Sequence, residues 1–204
     1  MRLSVLVSGS GTLLESILAH GLAVALVVAD RPCRGLEVAT AAGLDHVLVD
    51  RRGYGGFRPD FDREGYSMAL TGTLREWNID LIAMAGFGTV TTSTFTDAFA
   101  GRILNTHPSL LPEFKGWHAV AQALAAGVAE TGCTVHVATA ELDEGPILAT
   151  RRVPVELGDS EDVLHERIKR VERELYPAVI SRVMDAMAAG REPASAAETE
   201  EESR

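Results

Sequence analysis

The sequence predicts an α/β fold, a single-domain doubly wound and mostly parallel sheet with antiparallel strands added near the C-terminal half and a long C-terminal helix. Three observations predict it. Short, continuously apolar runs such as Leu3–Val7 and Ala23–Ala29 alternate with helical stretches, the pattern of parallel strands covered on both faces. Gly132–Val137 and Pro146–Val155 are joined by a loop too short for a crossover, so they pair antiparallel. Leu164, Ile168, Val171, Leu175, Val179 and Val183 recur at three- and four-residue steps, which spells an amphipathic helix.

In chain order, strand Leu3–Val7 runs through Ser8-Gly9-Ser10-Gly11 into a helix over Thr12–His20, the first half of a βαβ unit. Ala23–Ala29 is the second strand, Gly35–Ala42 the second helix and Val47–Val49 a short third strand. Arg51–Asp60, rich in Gly and Arg, reads as a mobile loop. A helix over Asp62–Trp77 leads to strands at Leu81–Met84 and Gly101–Asn105, with a helix over His118–Ala126 packed beside the latter. Asp159 or Ser160 caps the last helix. Neither a repeat nor a linker interrupts residues 1–189, which form one domain. Residues 190–204 have almost nothing to bury and read as a disordered acidic tail.

Composition narrows the function. A formal charge of −10 over 204 residues argues against a nucleic-acid scaffold, which would collect Lys and Arg to replace phosphate counterions. No stretch approaches the roughly 18 apolar residues of a membrane span, and the N-terminus enters a strand rather than a signal peptide, so a soluble cytoplasmic protein is expected. Cys33 and Cys133 lack metal-site spacing and read as buried or inert thiols.

The chemistry gathers at Asn105-Thr106-His107-Pro108-Ser109-Leu110-Leu111-Pro112. If the strand includes Asn105, the amide and the imidazole leave one face of it, at a strand end stiffened by two prolines. A second segment, Glu141-Leu142-Asp143-Glu144-Gly145-Pro146, brings a carboxylate on a turn. An aspartate meeting His107 fixes its tautomer and favours its charged form, giving an Asn–His–Asp acid–base site. His20, His46 and His165 read as structural; His118 and His136 orient the site or fill space.

The Asn105-x-His107-Pro108-Ser109-Leu110-Leu111-Pro112 run, the later Leu142-Asp143-x-Gly145-Pro146 and the amino-terminal Ser8-Gly9-Ser10-Gly11 together resemble the folate-dependent formyltransferases, over about residues 2–188. The resemblance implies a Rossmann-like formyltransferase fold. It also implies transfer of a formyl group from the cosubstrate 10-formyltetrahydrofolate to the amine of glycinamide ribonucleotide, a step of de novo purine biosynthesis. It assigns catalysis to Asn105, His107 and Asp143, the ribotide phosphate to Gly11, Thr12 and Leu13, and further ribotide contacts to Lys169 and Glu172. For folate it implies Arg63, Gly88, Thr89, Val90, Thr91, Asn105, Thr139, Ala140, Glu141, Leu142 and Asp143. It calls for no metal, nucleic acid or membrane, and for a monomer or homodimer. The chain departs from the family at Leu13, where Asn is common, at Gly88-Thr89, where a bulkier Met-Arg pair is common, and at Lys115-Gly116 in place of Pro-Gly. The alternatives are a formyltetrahydrofolate deformylase-like hydrolase using water at the same triad, and a non-catalytic nucleotide- or folate-binding module.

Overall fold

The computed structural model describes residues 1–56 and 58–198. Strands and helices alternate as β1 (Leu3–Val7), α1 (Thr12–Ala19), β2 (Val24–Ala29), α2 (Arg34–Ala41), β3 (His46–Leu48), α3 (Arg63–Glu76), β4 (Leu81–Met84), α4 (Ser93–Ala98), β5 (Ile103–His107), α5 (Ala119–Ala126), β6 (Glu130–Val137), β7 (Ile147–Pro154) and α6 (Glu161–Ala188). The strand order is β3-β2-β1-β4-β5-β6-β7. The pairs β1–β2, β1–β4, β2–β3 and β4–β5 are parallel and β6–β7 is antiparallel, which is the mixed, mostly parallel sheet the sequence predicts. The chain divides into two compact units, Met1–Leu104 and Asn105 onward, so the boundary falls inside β5.

In the first unit, β1 and β4 are buried at every residue, Ser4 of β1 included, as their largely apolar runs require when helices cover both faces. One buried charge stands among them. Asp30, just beyond β2, has no exposed surface and is held by both Arg31 Nε and Nη2 at 2.9 Å and by the Thr89 hydroxyl at 2.5 Å. Burial alone would raise its carboxyl, but the hydrogen bonds from Arg31 and Thr89 outweigh it and hold the group below the ordinary carboxylate range. The same network anchors the start of residues 51–60, where a mobile loop is expected; Phe57 lies outside the described residues. Arg51–Tyr54 is a 3-10 turn capped by Asp50, whose side chain accepts from the Arg52 amide at 2.9 Å. Arg51 donates to Thr89 Oγ1 at 3.0 Å and lies 4.8 Å over the Phe61 ring, so a residue type that suggested solvent is an anchor.

In the second unit, β6 and β7 form the hairpin and α6 carries the predicted apolar stripe, burying Leu164, Ile168, Leu175, Val179 and Val183; Val171 is only partly covered. Each such side chain stabilises by about 1.5–3 kcal/mol, enough to keep the helix continuous through Pro177. Ser160 is its cap, accepting from the Val163 amide at 3.3 Å.

The tail also differs from expectation. Pro193–Ala196 forms a 3-10 turn with Pro193 and Ala196 buried. The Glu198 amide then donates to the Leu148 carbonyl of β7 at 2.7 Å. The Glu198 carboxylate, 5% exposed, meets Arg151 at 2.6 Å and Arg182 at 2.9 Å. Residues 190–198 are therefore part of the fold because arginines on β7 and α6 hold the Glu198 carboxylate; residues 199–204 lie outside the described residues. Burial raises the Glu198 carboxyl, but the two guanidinium hydrogen bonds win and lower it. A depressed folded value gives stability that is present above the unfolded value, about 4.3, and is lost as pH falls through the folded one. Glu198→Gln is accordingly expected to cost about 1–3 kcal/mol at pH 7, with the gap to wild type closing in acid. Urea titrations at both pH values check it, and equal midpoints at pH 7 would remove the clamp.

Candidate active site

β5 runs two residues past Asn105, to His107, so that Asn105 and His107 share one face and Thr106 takes the other. On the far face Thr106 Oγ1 lies 3.2 Å from the Cys133 sulfur. Burial pushes the Cys133 thiol up to about 12, so it stays protonated and inert at neutral pH.

On the near face the acid–base groups converge. Asp143 Oδ2 lies 3.4 Å from His107 Nδ1, and Oδ1 lies 3.6 Å from His136 Nε2. His107 and Asp143 are 6% and 7% exposed. Burial would raise the Asp143 carboxyl, but the hydrogen bonds from His136 and the Gly116 amide, with the nearby charge of His107, hold it below the ordinary range. Asp143 is thus ionised whenever the protein is near neutrality. It sits at φ 56°, a left-handed conformation costing an aspartate on the order of 1 kcal/mol, the sort of strain that persists where surrounding bonds over-determine a residue.

His136 is more than filler. Its Nδ1 faces the Val137 carbonyl at 3.1 Å and its Nε2 faces Asn105 Nδ2 at 3.2 Å. Its Nε2 therefore faces both the Asn105 amide and the Asp143 carboxylate: a ring protonated there donates to Asp143, and the Nδ1–H tautomer accepts from Asn105 instead. One Nδ2 hydrogen of Asn105 remains to serve a developing oxyanion.

Two backbone groups complete the arrangement, and side-chain motifs gave no sign of them. His107 Nε2 donates to the Phe114 carbonyl at 2.8 Å, and the Gly116 amide donates to Asp143 Oδ2 at 2.9 Å. Both ring nitrogens of His107 therefore face acceptors; a neutral ring can donate to one, the imidazolium to both. Phe114, Gly116 and His118 have φ of 51°, 78° and 64°, so the loop alternates into the left-handed region while it grips the acid–base pair. Lys115 ties the loop to Glu144 at 3.0 Å.

The other predicted residues are placed as follows. In the second unit, Thr139–Leu142 form the segment before Asp143, with the Thr139 hydroxyl donating to the Glu141 carbonyl at 3.1 Å and Ala140, Glu141 and Leu142 exposed. Lys169 and Glu172 share a face of α6; desolvation raises the Glu172 carboxyl despite a hydrogen bond from Thr106. In the first unit, Gly11 (φ 73°) opens α1, and no side chain caps that helix, leaving the amides of its first turn to a ligand. Leu13, read as a phosphate contact, is 6% exposed and packs in the core, so only its backbone is on offer. Arg63 is exposed at the start of α3. The Gly88 amide donates to Ser8 Oγ at 2.7 Å, and Thr89, buried, spends its hydroxyl on Asp30, while Val90 is exposed and Thr91 partly so. Among the described residues no group of three His, Cys, Asp or Glu side chains is placed to hold a metal ion.

The profile of the formyl transferase family matches residues 1–180. The chain is similar to a phosphoribosylglycinamide formyltransferase of Mycobacterium tuberculosis, 45% identical over 185 residues that cover 88% of this chain and 83% of that protein. A trifunctional purine biosynthetic protein, adenosine-3 of Gallus gallus, is 38% identical over 90% of this chain, which spans 18% of that longer protein. In three dimensions the chain resembles the crystal structure of glycinamide ribonucleotide transformylase 1 from Symbiobacterium toebii, with a TM-score of 0.80, 40% identity and coverage of 87% of this chain and 84% of that one.

Proposed function

Because the chain belongs to the formyl transferase family, we propose that it transfers the formyl group of 10-formyltetrahydrofolate to the amine of glycinamide ribonucleotide in purine biosynthesis. The observation that carries the mechanism is the convergence of Asn105, His107 and an ionised Asp143 on one face of β5. The neutral amine attacks the formyl carbon, forming a C–N bond and a tetrahedral oxyanion. Asn105 Nδ2 and His107 are the donors to that oxygen, and such donors are worth about 10²- to 10³-fold each. Asp143 balances the charge on His107 while a proton passes from the attacking nitrogen to the folate nitrogen, whose bond to carbon then breaks. Donation from His107 Nε2 to the oxyanion requires release of the Phe114 carbonyl.

For the ribotide we assign the phosphate to the amides of Gly11, Thr12 and Leu13, the ribose to Glu172, and added positive charge to Lys169. For folate we assign Arg63 to the glutamate end and residues 88–91 and 139–143 to the ring. The uncapped first turn of α1 supports the phosphate assignment. Glycinamide ribonucleotide at a hundredfold excess over its Kd is expected to stabilise the protein by about 2.7 kcal/mol, and the dephosphorylated riboside far less. Equal shifts in melting temperature with both would move the phosphate elsewhere. The reaction itself is tested by following folate release with and without ribotide. Release that requires ribotide supports transfer, whereas release as formate without it makes the protein a hydrolase.

A further inference from the structure

Trp117 is the most exposed aromatic ring among the described residues, at 62%, and it sits between groups that are anything but free. Three residues before it the Phe114 carbonyl is bonded to His107; one residue before it the Gly116 amide is bonded to Asp143. Its own carbonyl accepts from Gln122 Nε2 at 2.8 Å. The backbone that carries the indole is therefore fixed by the acid–base pair itself. Trp77, the chain's other tryptophan, shows the contrast: it is largely covered and has the Arg2 guanidinium 6.0 Å from its ring.

A second exposed apolar side chain lies close to the glycine that precedes Trp117. Leu142, 51% exposed, precedes Asp143, and its Cδ2 lies 3.7 Å from where a Cβ on Gly116 would be. Trp117 and Leu142 thus follow and precede the two residues, Gly116 and Asp143, that are hydrogen-bonded to each other. Two exposed apolar side chains flank, in sequence, the residues that grip the acid–base pair, in a run where Phe114, Gly116 and His118 are left-handed. Leaving a tryptophan in water forgoes the burial of a large apolar area, and a rigid, amphipathic ring offered at low entropic cost suits a flat partner.

We propose that Trp117 is a substrate-contacting residue that stacks on the aromatic part of the formyl donor. The proposal rests on the formyl-transfer reading. Of the two substrates in that reading only the folate has conjugated rings; a glycinamide ribotide offers phosphate, hydroxyls and an amide. Stacking of a base-like ring on an aromatic side chain is worth about 1–3 kcal/mol.

Two measurements test it. In steady state, Trp117→Ala should raise KM for 10-formyltetrahydrofolate roughly tenfold, leave KM for glycinamide ribonucleotide within about twofold, and be largely rescued by Trp117→Phe. In fluorescence, Trp77→Phe leaves Trp117 as the chain's single indole, and tetrahydrofolate should quench it by more than half, whereas in Trp117→Phe the remaining Trp77 should respond weakly. An unchanged donor KM, or a rise confined to the ribotide KM, overturns the proposal, as does saturable folate binding that leaves the Trp117 emission unaltered. Wild-type protein that consumes folate without formylating the ribotide would instead overturn the functional reading, and the titration would still decide whether Trp117 meets the folate.

Discussion

His107→Ala is expected to lower kcat by roughly 10²-fold or more, with kcat/KM falling in proportion, because the lost group acts on charge that exists only in the transition state. The prediction draws on geometry: the imidazole is almost enclosed, its Nδ1 lies 3.4 Å from Asp143, and its Nε2 is bonded to the Phe114 carbonyl at 2.8 Å. Folding should survive, since Asp143 keeps the Gly116 amide and His136 after the deletion. Circular dichroism and a thermal melt establish that, and a folded mutant with near-normal turnover would remove His107 from the reaction. Asp143→Asn should behave alike. Its carboxylate is ionised down to below the ordinary range of about 3.9, so protonation of Asp143 cannot be the origin of any activity loss above that pH.

Gly145→Ala is expected to do comparable damage without touching a reactive atom. A Cβ at this position would lie 1.7 Å from the Val137 carbonyl oxygen, closer than any packing allows, so the turn between β6 and β7 must move. That turn carries Asp143. Overpacking of this kind costs typically about 1–3 kcal/mol, and a misplacement of about 1 Å at a reacting group can cost 10²-fold in rate. The two effects separate by comparison with Gly158→Ala, where φ is +88° and no atom lies within 4 Å of the added methyl. That control should lose about 1–2 kcal/mol of stability through its left-handed backbone and keep its kcat. If Gly145→Ala retains kcat as well, the approach to Val137 is not what places Asp143.

The sheet was legible because strands buried on both faces write themselves as Leu3–Val7 and Leu81–Met84, and the antiparallel pair announced itself by a loop with no room for a helix. Asn105 and His107 were legible because period-two alternation puts them on one face of β5. Features set by partners remote in sequence were not. The anchoring of Arg51 depends on Thr89 and Phe61, and the ordering of Glu198 depends on Arg151 and Arg182; local composition in both places is that of solvated chain. α4, at six residues, is too short to display a helical period. The role of His136 needed a distance, since an alternating histidine reads equally as packing or as support, and the grip of Phe114 and Gly116 on the acid–base pair is made by backbone atoms that every residue has.

The Phe114 carbonyl gives that last contact a consequence in time. On the proposed mechanism the proton donor, His107 Nε2, is committed to an oxygen of its own chain before substrates bind. A water molecule arriving beside a formyl donor brings no binding energy with which to unseat that oxygen, whereas a bound ribotide does. Breaking the contact costs on the order of 1 kcal/mol, several-fold in rate, and the cost falls on idle turnover rather than on the paired reaction. On that assignment a labile one-carbon unit would be kept from being wasted while its acceptor is absent.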